Sequence, residues 1–159
     1  MEHIWSPWRY RYISTGGKDE GCVFCRAQRA EDSESLIVYR ARLNFVILNL
    51  FPYTSGHLMI VPYDHKADLA TTDEATTTEM IELAKRAERA LESEYDPDGF
   101  NIGLNLGRAA GAGVAEHLHM HVVPRWSGDA NFVSIVGETR VLPEELSTTY
   151  DRLKKHFAR

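Results

Sequence analysis

The chain has 159 residues, of which 43% are hydrophobic, and this size suits one globular domain with a sizeable buried core. Its formal net charge of −5 argues against nonspecific nucleic-acid binding as the main task, since such binding needs a basic surface. The N-terminus lacks the apolar run of a signal peptide and no stretch is apolar enough to span a membrane, so a cytoplasmic protein is expected.

The first 20 residues are rich in aromatic and basic side chains. They interleave four aromatic residues with two arginines: Trp5, Trp8, Arg9, Tyr10, Arg11 and Tyr12. An arm that packs over the domain or over a neighbouring subunit is one interpretation, and stacking on nucleobases is the other. We therefore predict an N-terminal arm over residues 1–20, followed by a single domain over residues 21–159.

Cys22 and Cys25 form a Cys-x-x-Cys pair directly after this arm. In a cytoplasmic protein both thiols stay reduced, which argues against a structural disulfide. The pair is half of a zinc site, and a redox pair is the rival interpretation. A redox pair is expected to open a helix after a strand, whereas this pair follows a loop of glycine and charged residues. The third alternative is that both cysteines are small apolar residues.

Branched and aromatic residues predict three strands over residues 36–40, 43–50 and 57–62. A helix follows, and Thr71 and Glu74 are spaced as a capping box at its start. Its buried face is predicted from apolar residues at helical spacing, namely Met80, Ala84, Ala87 and Leu91. Residues 96–99 are turn formers and end the helix after Tyr95, and its many charges form a solvated face.

The second half of the chain predicts a fourth strand over residues 100–106, a fifth strand around three histidines and a final helix opened by Pro143. That helix carries one apolar stripe: Leu146, Tyr150, Leu153 and Phe157. Between the fourth and fifth strands, residues 107–113 consist of glycine, alanine and one arginine. Such a loop lets backbone N–H groups approach phosphate oxygens, and a plain flexible turn is the alternative.

Three histidines alternate with apolar residues in the predicted fifth strand. His117, His119 and His121 are predicted to share one face, and the residues between them to face the core. Neighbouring histidines on one strand face lie roughly 6.5 to 7 Å apart, which suits an extended phosphate chain better than one small metal ion. Imidazole acts as nucleophile, proton donor or metal ligand near neutral pH, so the cluster indicates a functional site.

The pattern His-x-His-x-His-x-x with apolar residues at every x resembles the signature of the histidine triad family of nucleotide hydrolases and transferases. Residues 47–53, 56–62 and 101–107 resemble other segments of that family in the same order, so the resemblance covers most of the chain from about Gly21 to Phe132. It implies an α+β fold with a five-stranded antiparallel sheet, a long central helix and a C-terminal helix. It also implies a homodimer in which strands of two subunits form one continuous sheet.

The resemblance implies a mechanism centred on His119. This residue would attack the α-phosphorus of a nucleotide, and an acceptor would then cleave the nucleotidyl-histidine. His121 would hydrogen-bond phosphate oxygens or protonate the leaving group. A carbonyl near His57 would accept the proton of the other ring nitrogen of His119 and so orient that ring. No magnesium is implied.

Several members of the family bind zinc through such a cysteine pair and two histidines. The matching histidines in this chain are His65 and His117. The implied set of Cys22, Cys25, His65 and His117 is tetrahedral and closed, which would make the zinc structural.

The same resemblance implies substrate contacts outside the triad. Asn49 occupies a position near the ribose and Asn105 matches an asparagine on the phosphate side. Many members carry Gln or Ser just before the triad, where this chain has small residues, so backbone donors would bind the phosphate instead. The loop positions concerned are Gly111, Ala112 and Gly113.

Residues 125–132 resemble the branch of the family that includes mycobacterial-type diadenosine tetraphosphate phosphorylases, in which the tryptophan lies near the substrate. Trp126 offers a face for stacking on a base, and burial at a subunit contact is the alternative. The expected function is cleavage of diadenosine polyphosphates, a small-molecule substrate, at the α-phosphate by phosphorolysis or hydrolysis. The alternatives are hydrolysis of adenosine 5′-phosphoramidates and a non-catalytic nucleotide-binding or zinc-stabilised interaction module.

Overall fold

The computed structural model describes residues 21–129 and 144–158, so the predicted arm over residues 1–20 and Pro143 lie outside the described residues. Five strands are described: β1 (Ile37–Arg40), β2 (Asn44–Leu48), β3 (Leu58–Pro62), β4 (Gly99–Leu104) and β5 (Met120–Arg125). Four α-helices accompany them: α1 (Val23–Ala27), α2 (Asp32–Ser35), α3 (Glu74–Tyr95) and α4 (Leu146–Phe157). One turn of 3-10 helix covers Arg108–Ala110.

The five strands form one antiparallel sheet in the order β1-β2-β3-β5-β4, which confirms the predicted α+β fold. β5 lies between β3 and β4, so Met59 of β3 and Gly103 of β4 both lie opposite His121. Hydrogen bonds on both sides therefore fix the position of the histidine strand.

Alternating side chains of the strands form a core on each face of the sheet. On one face the predicted stripe of α3 packs with residues of α4 and of the strands, including Met80, Ala84, Ala87, Leu91, Tyr150, Leu153 and Phe157. On the other face Phe24 of α1 packs with a second cluster: Ile37, Phe45, Ile47, Met59 and Val61. Since His121 pairs with Met59, the histidine face is the one covered by α1.

The start of α3 differs from the prediction. The helix begins at Glu74, and Asp73 is its N-cap, with the carboxylate accepting a hydrogen bond from the backbone N–H of Thr76 at 2.9 Å. The capping box at Thr71 is wrong, because the N–H of Thr71 donates to the side chain of Asp68 instead. An ionised carboxylate is a stronger acceptor at a helix N-terminus than a hydroxyl, which favours the later cap. The hydrogen bonds that Thr76 donates to the carboxylate of Asp73 also lower the pKa of Asp73.

Of the other helix ends, the end of α3 was predicted correctly and the start of α4 was predicted too early. α3 ends at Tyr95 as predicted, and Asp96 adopts a left-handed conformation there. α4 begins only at Leu146, with Glu145 as its N-cap. α1 and α2 have five and four residues, too few for a helical period to appear in the sequence, and were not predicted. None of the helices within the described ranges is both long and apolar enough to cross a membrane.

The predicted strand around the histidines is correct only from Met120 onward. Residues 117–119 precede β5, and the N–H of Leu118 donates to the carbonyl of Lys66, outside the sheet, at 2.6 Å. The predicted alternation still holds, since Leu118, Met120 and Val122 are all buried in the core on the side of α3.

Candidate active site and metal-binding group

Three of the predicted catalytic histidines lie together on the face of the sheet covered by α1. The ring centroid of His121 is 4.9 Å from that of His119 and 5.1 Å from that of His57. His57 precedes β3, and its ring reaches His121 because β3 pairs with β5. The rings are closer together than the backbone spacing along a strand, since the side chains converge on one point.

His119 is almost completely enclosed, with 4% of its surface exposed. Its Nδ1–H donates a hydrogen bond of 2.8 Å to the main-chain carbonyl of His117. In a neutral ring this leaves the lone pair on Nε2, and no side chain or backbone group in the described ranges hydrogen-bonds that nitrogen. The expectation that the orienting carbonyl lies near His57 is wrong, because Nδ1 of His119 already donates to the carbonyl of His117, two residues earlier in the chain.

A chain of hydrogen bonds sets the tautomers of His57 and His121. The backbone N–H of Tyr53 donates to Nδ1 of His57 at 3.2 Å, so in the neutral ring the proton of His57 is on Nε2. That Nε2 lies 2.9 Å from Nδ1 of His121 and donates to it. His121 therefore carries its own proton on Nε2, where it is available as a hydrogen-bond donor.

The pKa values of His119 and His121 are both lowered, which keeps these two rings neutral at pH 7. Burial lowers the pKa of His119 below its ordinary value of 6.5. Burial, with a smaller contribution from the neighbouring charge of His119, lowers the pKa of His121 to about 4. The site thus combines an unprotonated nucleophilic nitrogen with a neutral N–H donor.

The predicted metal ligands also lie together. Ligand atoms of Cys22, Cys25, His65 and His117 all lie within 4.8 Å of one another. Sγ of Cys22 is 3.2 Å from Nδ1 of His117, and Sγ of Cys25 is 3.3 Å from Nδ1 of His65 and 3.7 Å from Nδ1 of His117. Tetrahedral ligation with ordinary zinc–sulfur and zinc–nitrogen bonds places the two atom types about 3.6 Å apart, so the group fits a metal of this kind.

The surroundings of this Cys2His2 group favour a bound cation. Nε2–H of His117 donates to the carbonyl of Pro62 at 2.9 Å, which leaves Nδ1 free to ligate. Partial burial, and then the neighbouring Cys22, raise the pKa of the Cys25 thiol. A metal ion would offset both effects, since it stabilises the thiolates.

Asn49 lies beside the histidines. Its Oδ1 accepts a hydrogen bond from the backbone N–H of Phe51 at 2.9 Å, and its Nδ2 lies 3.4 Å from Nδ1 of His57. Asn105 is partly exposed, and its Nδ2 lies close to Gly111 of the loop, 4.0 Å from the place that a Cβ would take there.

The glycine loop uses part of its predicted phosphate donors internally. Gly107 and Gly111 adopt left-handed φ angles of 82° and 89°, which enclose the 3-10 turn. The N–H of Gly111 donates to the carbonyl of Arg108, and the N–H of Ala112 donates to the carbonyl of Gly107. Of the three positions predicted to bind phosphate, only Gly113 has an N–H without a hydrogen bond to another described residue.

Trp126 and His119 lie just beyond opposite ends of β5. Trp126 is half-buried directly after β5, seven residues beyond His119. At the rise of an extended chain, the six residues of β5 separate the backbones of Trp126 and His119 by roughly 20 Å.

Two aromatic residues at the site were not predicted. The ring of Tyr53 lies 4.7 Å from that of His57 and 6.1 Å from that of His121, and Phe24 packs against His117 and His119. Phe24 lies between the two cysteines in the sequence, but the local sequence pattern does not show that its side chain contacts histidines more than 90 residues away. That information is in the tertiary fold.

Comparisons with known proteins find a family model, a relative and solved structures that are similar to this chain. The family model described as "HIT domain" matches residues 30–128. A protein of Mycobacterium tuberculosis named "AP-4-A phosphorylase" is 38% identical over 167 residues, covering 100% of this chain and 86% of its own. The crystal structure of a zinc-bound histidine triad family protein from Mycobacterium smegmatis superposes with a TM-score of 0.70 at 30% identity, covering 87% of this chain and 94% of its own. A histidine triad nucleotide-binding protein from Sulfolobus tokodaii superposes with a TM-score of 0.68 at 26% identity, covering 86% and 91%.

Proposed function

Because the chain belongs to the HIT domain family, we propose that it is an enzyme that cleaves diadenosine polyphosphates at the α-phosphate, by phosphorolysis or hydrolysis. The observation that supports this most is the state of His119, whose Nδ1 is hydrogen-bonded to a carbonyl and whose Nε2 holds the lone pair. The similarity to a protein named AP-4-A phosphorylase supports the choice of substrate.

In the first step Nε2 of His119 attacks the α-phosphorus. A bond between phosphorus and nitrogen forms, and the bond from phosphorus to the bridging oxygen breaks. With diadenosine tetraphosphate the leaving group is ATP, and adenylyl-histidine remains. In the second step an oxygen of phosphate or water attacks the same phosphorus, which releases ADP or AMP and restores the imidazole.

His121 and His57 support both steps as neutral groups. The N–H on Nε2 of His121 stabilises negative charge on the phosphate oxygens or gives its proton to the leaving oxygen. His57 holds His121 in the tautomer that makes this possible, through the 2.9 Å contact between the two rings. Asn49 and Asn105 contact the ribose and the phosphate side of the substrate.

The metal proposed for the Cys2His2 group is zinc. Cys22, Cys25, His65 and His117 would hold it, and with four protein ligands it would stabilise the fold and leave the chemistry to the histidines. The similarity to a zinc-bound histidine triad protein supports this choice.

The proposed assembly is a homodimer with one continuous sheet. β4 is an edge strand, and Ile102 in its middle is 44% exposed. Exposed apolar edges favour pairing with another strand, and a second copy of β4 supplies one with the same pattern. For Trp126, which is half-buried directly after β5, the proposed role is stacking on a base, and burial at the contact between subunits is the alternative.

The direct test is incubation of the purified protein with diadenosine tetraphosphate, with and without inorganic phosphate. Release of ATP with ADP indicates phosphorolysis, and release of ATP with AMP indicates hydrolysis. His119→Asn should abolish release and still bind the nucleotide. Absence of products from the unaltered chain contradicts the proposal, and faster turnover of an adenosine 5′-phosphoramidate would favour that alternative substrate.

A further inference from the structure

Phe24 has no part in the reaction proposed above, yet its ring contacts both His117 of the Cys2His2 group and His119. It lies between Cys22 and Cys25 in the sequence and is 4% exposed. Its ring centroid is 5.4 Å from that of His117, with the planes at 71°, and 5.1 Å from that of His119, with the planes at 48°. One aromatic ring thus contacts both a metal ligand and the nucleophile.

The imidazole of His119 is held from three directions. The carbonyl of His117 fixes Nδ1, the edge of the His121 ring lies at a centroid distance of 4.9 Å, and Phe24 covers a further side. Rotation of the imidazole about its bond to Cβ would need Phe24 to move. The hydrogen bond holds only Nδ1, and Phe24 covers a side of the ring that this bond does not touch.

Phe24 is positioned both by its packing against the second core cluster and by the Cys2His2 group on either side of it in the sequence. α1 has only five residues, and helices of this length are not stable by themselves. Cys22 and Cys25 flank Phe24 and would both be bonded to the same ion as His117. Ligation would therefore fix the backbone on both sides of the phenyl ring, and at the same time the residue whose carbonyl holds His119.

We propose that Phe24 is a positioning residue that couples occupancy of the Cys2His2 group to the orientation of the His119 ring. This inference rests on the proposed function only in the consequence for rate. Zinc at the group would keep Phe24 against the imidazole and so keep Nε2 directed at the incoming phosphorus. Loss of zinc would loosen Phe24, and His119 would then sample orientations that do not react.

The experiment compares Phe24→Ala and Phe24→Leu with Val23→Ala, a control at the neighbouring position, which is 40% exposed. Nitrogen NMR of histidine-labelled protein follows the Nδ1–H of His119, assigned through its loss in His119→Asn. In the unaltered chain this signal should weaken when zinc is removed by a chelator and return when zinc is restored. In Phe24→Ala it should be weak at both zinc levels, and Val23→Ala should behave as the unaltered chain. Phe24→Leu keeps the volume without the flat ring, which provides a folded variant if the alanine variant does not fold.

Single-turnover kinetics supply the second measurement. Formation of adenylyl-histidine should slow about tenfold or more in Phe24→Leu while nucleotide affinity changes little, because a misplaced nucleophile loses rate rather than binding. Weaker nucleotide binding at an unchanged rate would overturn the proposal and make Phe24 part of the nucleotide pocket. An NMR signal insensitive to Phe24 and to zinc would also overturn it. If no adenylyl-histidine forms even in the unaltered chain, the proposed function fails, and the NMR measurement still decides the role of Phe24.

Discussion

The imidazole of His57 donates a hydrogen bond to the imidazole of His121, with 2.9 Å between Nε2 and Nδ1. His57 is completely buried and receives the backbone N–H of Tyr53 on its other nitrogen. In the neutral ring, a nitrogen that accepts a hydrogen bond leaves the proton on the other nitrogen, so Nε2 of His57 is the donor. This pair therefore determines which atom of His121 faces the substrate.

Replacement of His57 tests this relationship. The amide of Gln reaches the place of Nε2 and keeps a donor for His121, whereas the amide of Asn is too short. We expect His57→Asn to lower kcat about 10- to 100-fold and His57→Gln to retain most of it, with KM little changed in both. Steady-state kinetics with diadenosine tetraphosphate measure this, and equal kcat values for the two variants would contradict the assigned role.

The low pKa of His121 predicts a pH dependence of stability. The folded state binds this proton only near pH 4, whereas the unfolded chain binds it near pH 6.5, so the stabilising contribution is complete above 6.5 and is lost as the pH falls toward 4. The total loss is about 3 kcal/mol, since each pKa unit corresponds to about 1.36 kcal/mol. Urea unfolding at several pH values should show a shallower acid decline for His121→Asn than for the unaltered chain. Parallel declines would refute the shift.

We predict that removal of the metal from the Cys2His2 group lowers the stability of the fold. Cys25→Ser should reduce bound zinc from one ion per chain to none and lower the thermal midpoint, because ligation contributes to folding free energy. Val23→Ser is the matched control, since it introduces the same residue at an exposed position of the same helix. Elemental analysis and thermal unfolding with and without a chelator measure both effects. A chelator that leaves the midpoint unchanged would exclude a structural metal.

The exposed edge of β4 predicts that charge disrupts the dimer. Ile102→Asp should yield monomers by light scattering, because a carboxylate at a paired edge must be desolvated next to its own copy. Ile81→Asp places the same charge at an equally exposed position of α3 and should leave the oligomer intact. A monomeric unaltered chain, or an Ile102→Asp dimer, would count against the continuous sheet.

We predict that a side chain at Gly56, the residue before His57, destabilises the protein. Its φ is +82°, and a Cβ there would lie 2.7 Å from Cδ2 of Leu91, which is itself completely buried. Gly56→Ala should destabilise the protein by roughly 2–4 kcal/mol through backbone strain and overpacking. Gly99→Ala is the control, because a Cβ at that position meets nothing within 4 Å. Denaturant unfolding of the two variants should separate them clearly, and similar midpoints would contradict the packing.

The periodic spacing of apolar residues in the sequence predicted which faces of α3 and of the histidine strand are buried. The stripe of α3 and the alternation around the histidines are buried as expected, because helical and strand periods are properties of neighbouring residues. The start of α3 was missed because two capping residues, Thr71 and Asp73, compete within three positions. The fourfold grouping of cysteines and histidines was expected from family resemblance, and its 4.8 Å spread agrees.

Other features of the site depend on contacts between distant segments. β5 lies between β3 and β4, and no periodicity in the sequence specifies that order. The contacts of Phe24 with His119 and of Tyr53 with His121 also join segments that are far apart in the sequence. Loop donors were predicted from composition, but the backbone N–H groups of Gly111 and Ala112 close the loop itself.

The register of β5 between two strands has a consequence for insertions and deletions. His121 lies opposite Met59 and Gly103, while Val122 on the reverse side is completely buried. Loss of one residue inside this strand would exchange the two sides, placing an imidazole among the apolar side chains of the long helix and a valine on the face where the histidines now lie. Length variation among homologues should therefore be confined to the connections, such as residues 107–116, and leave the histidine strand intact.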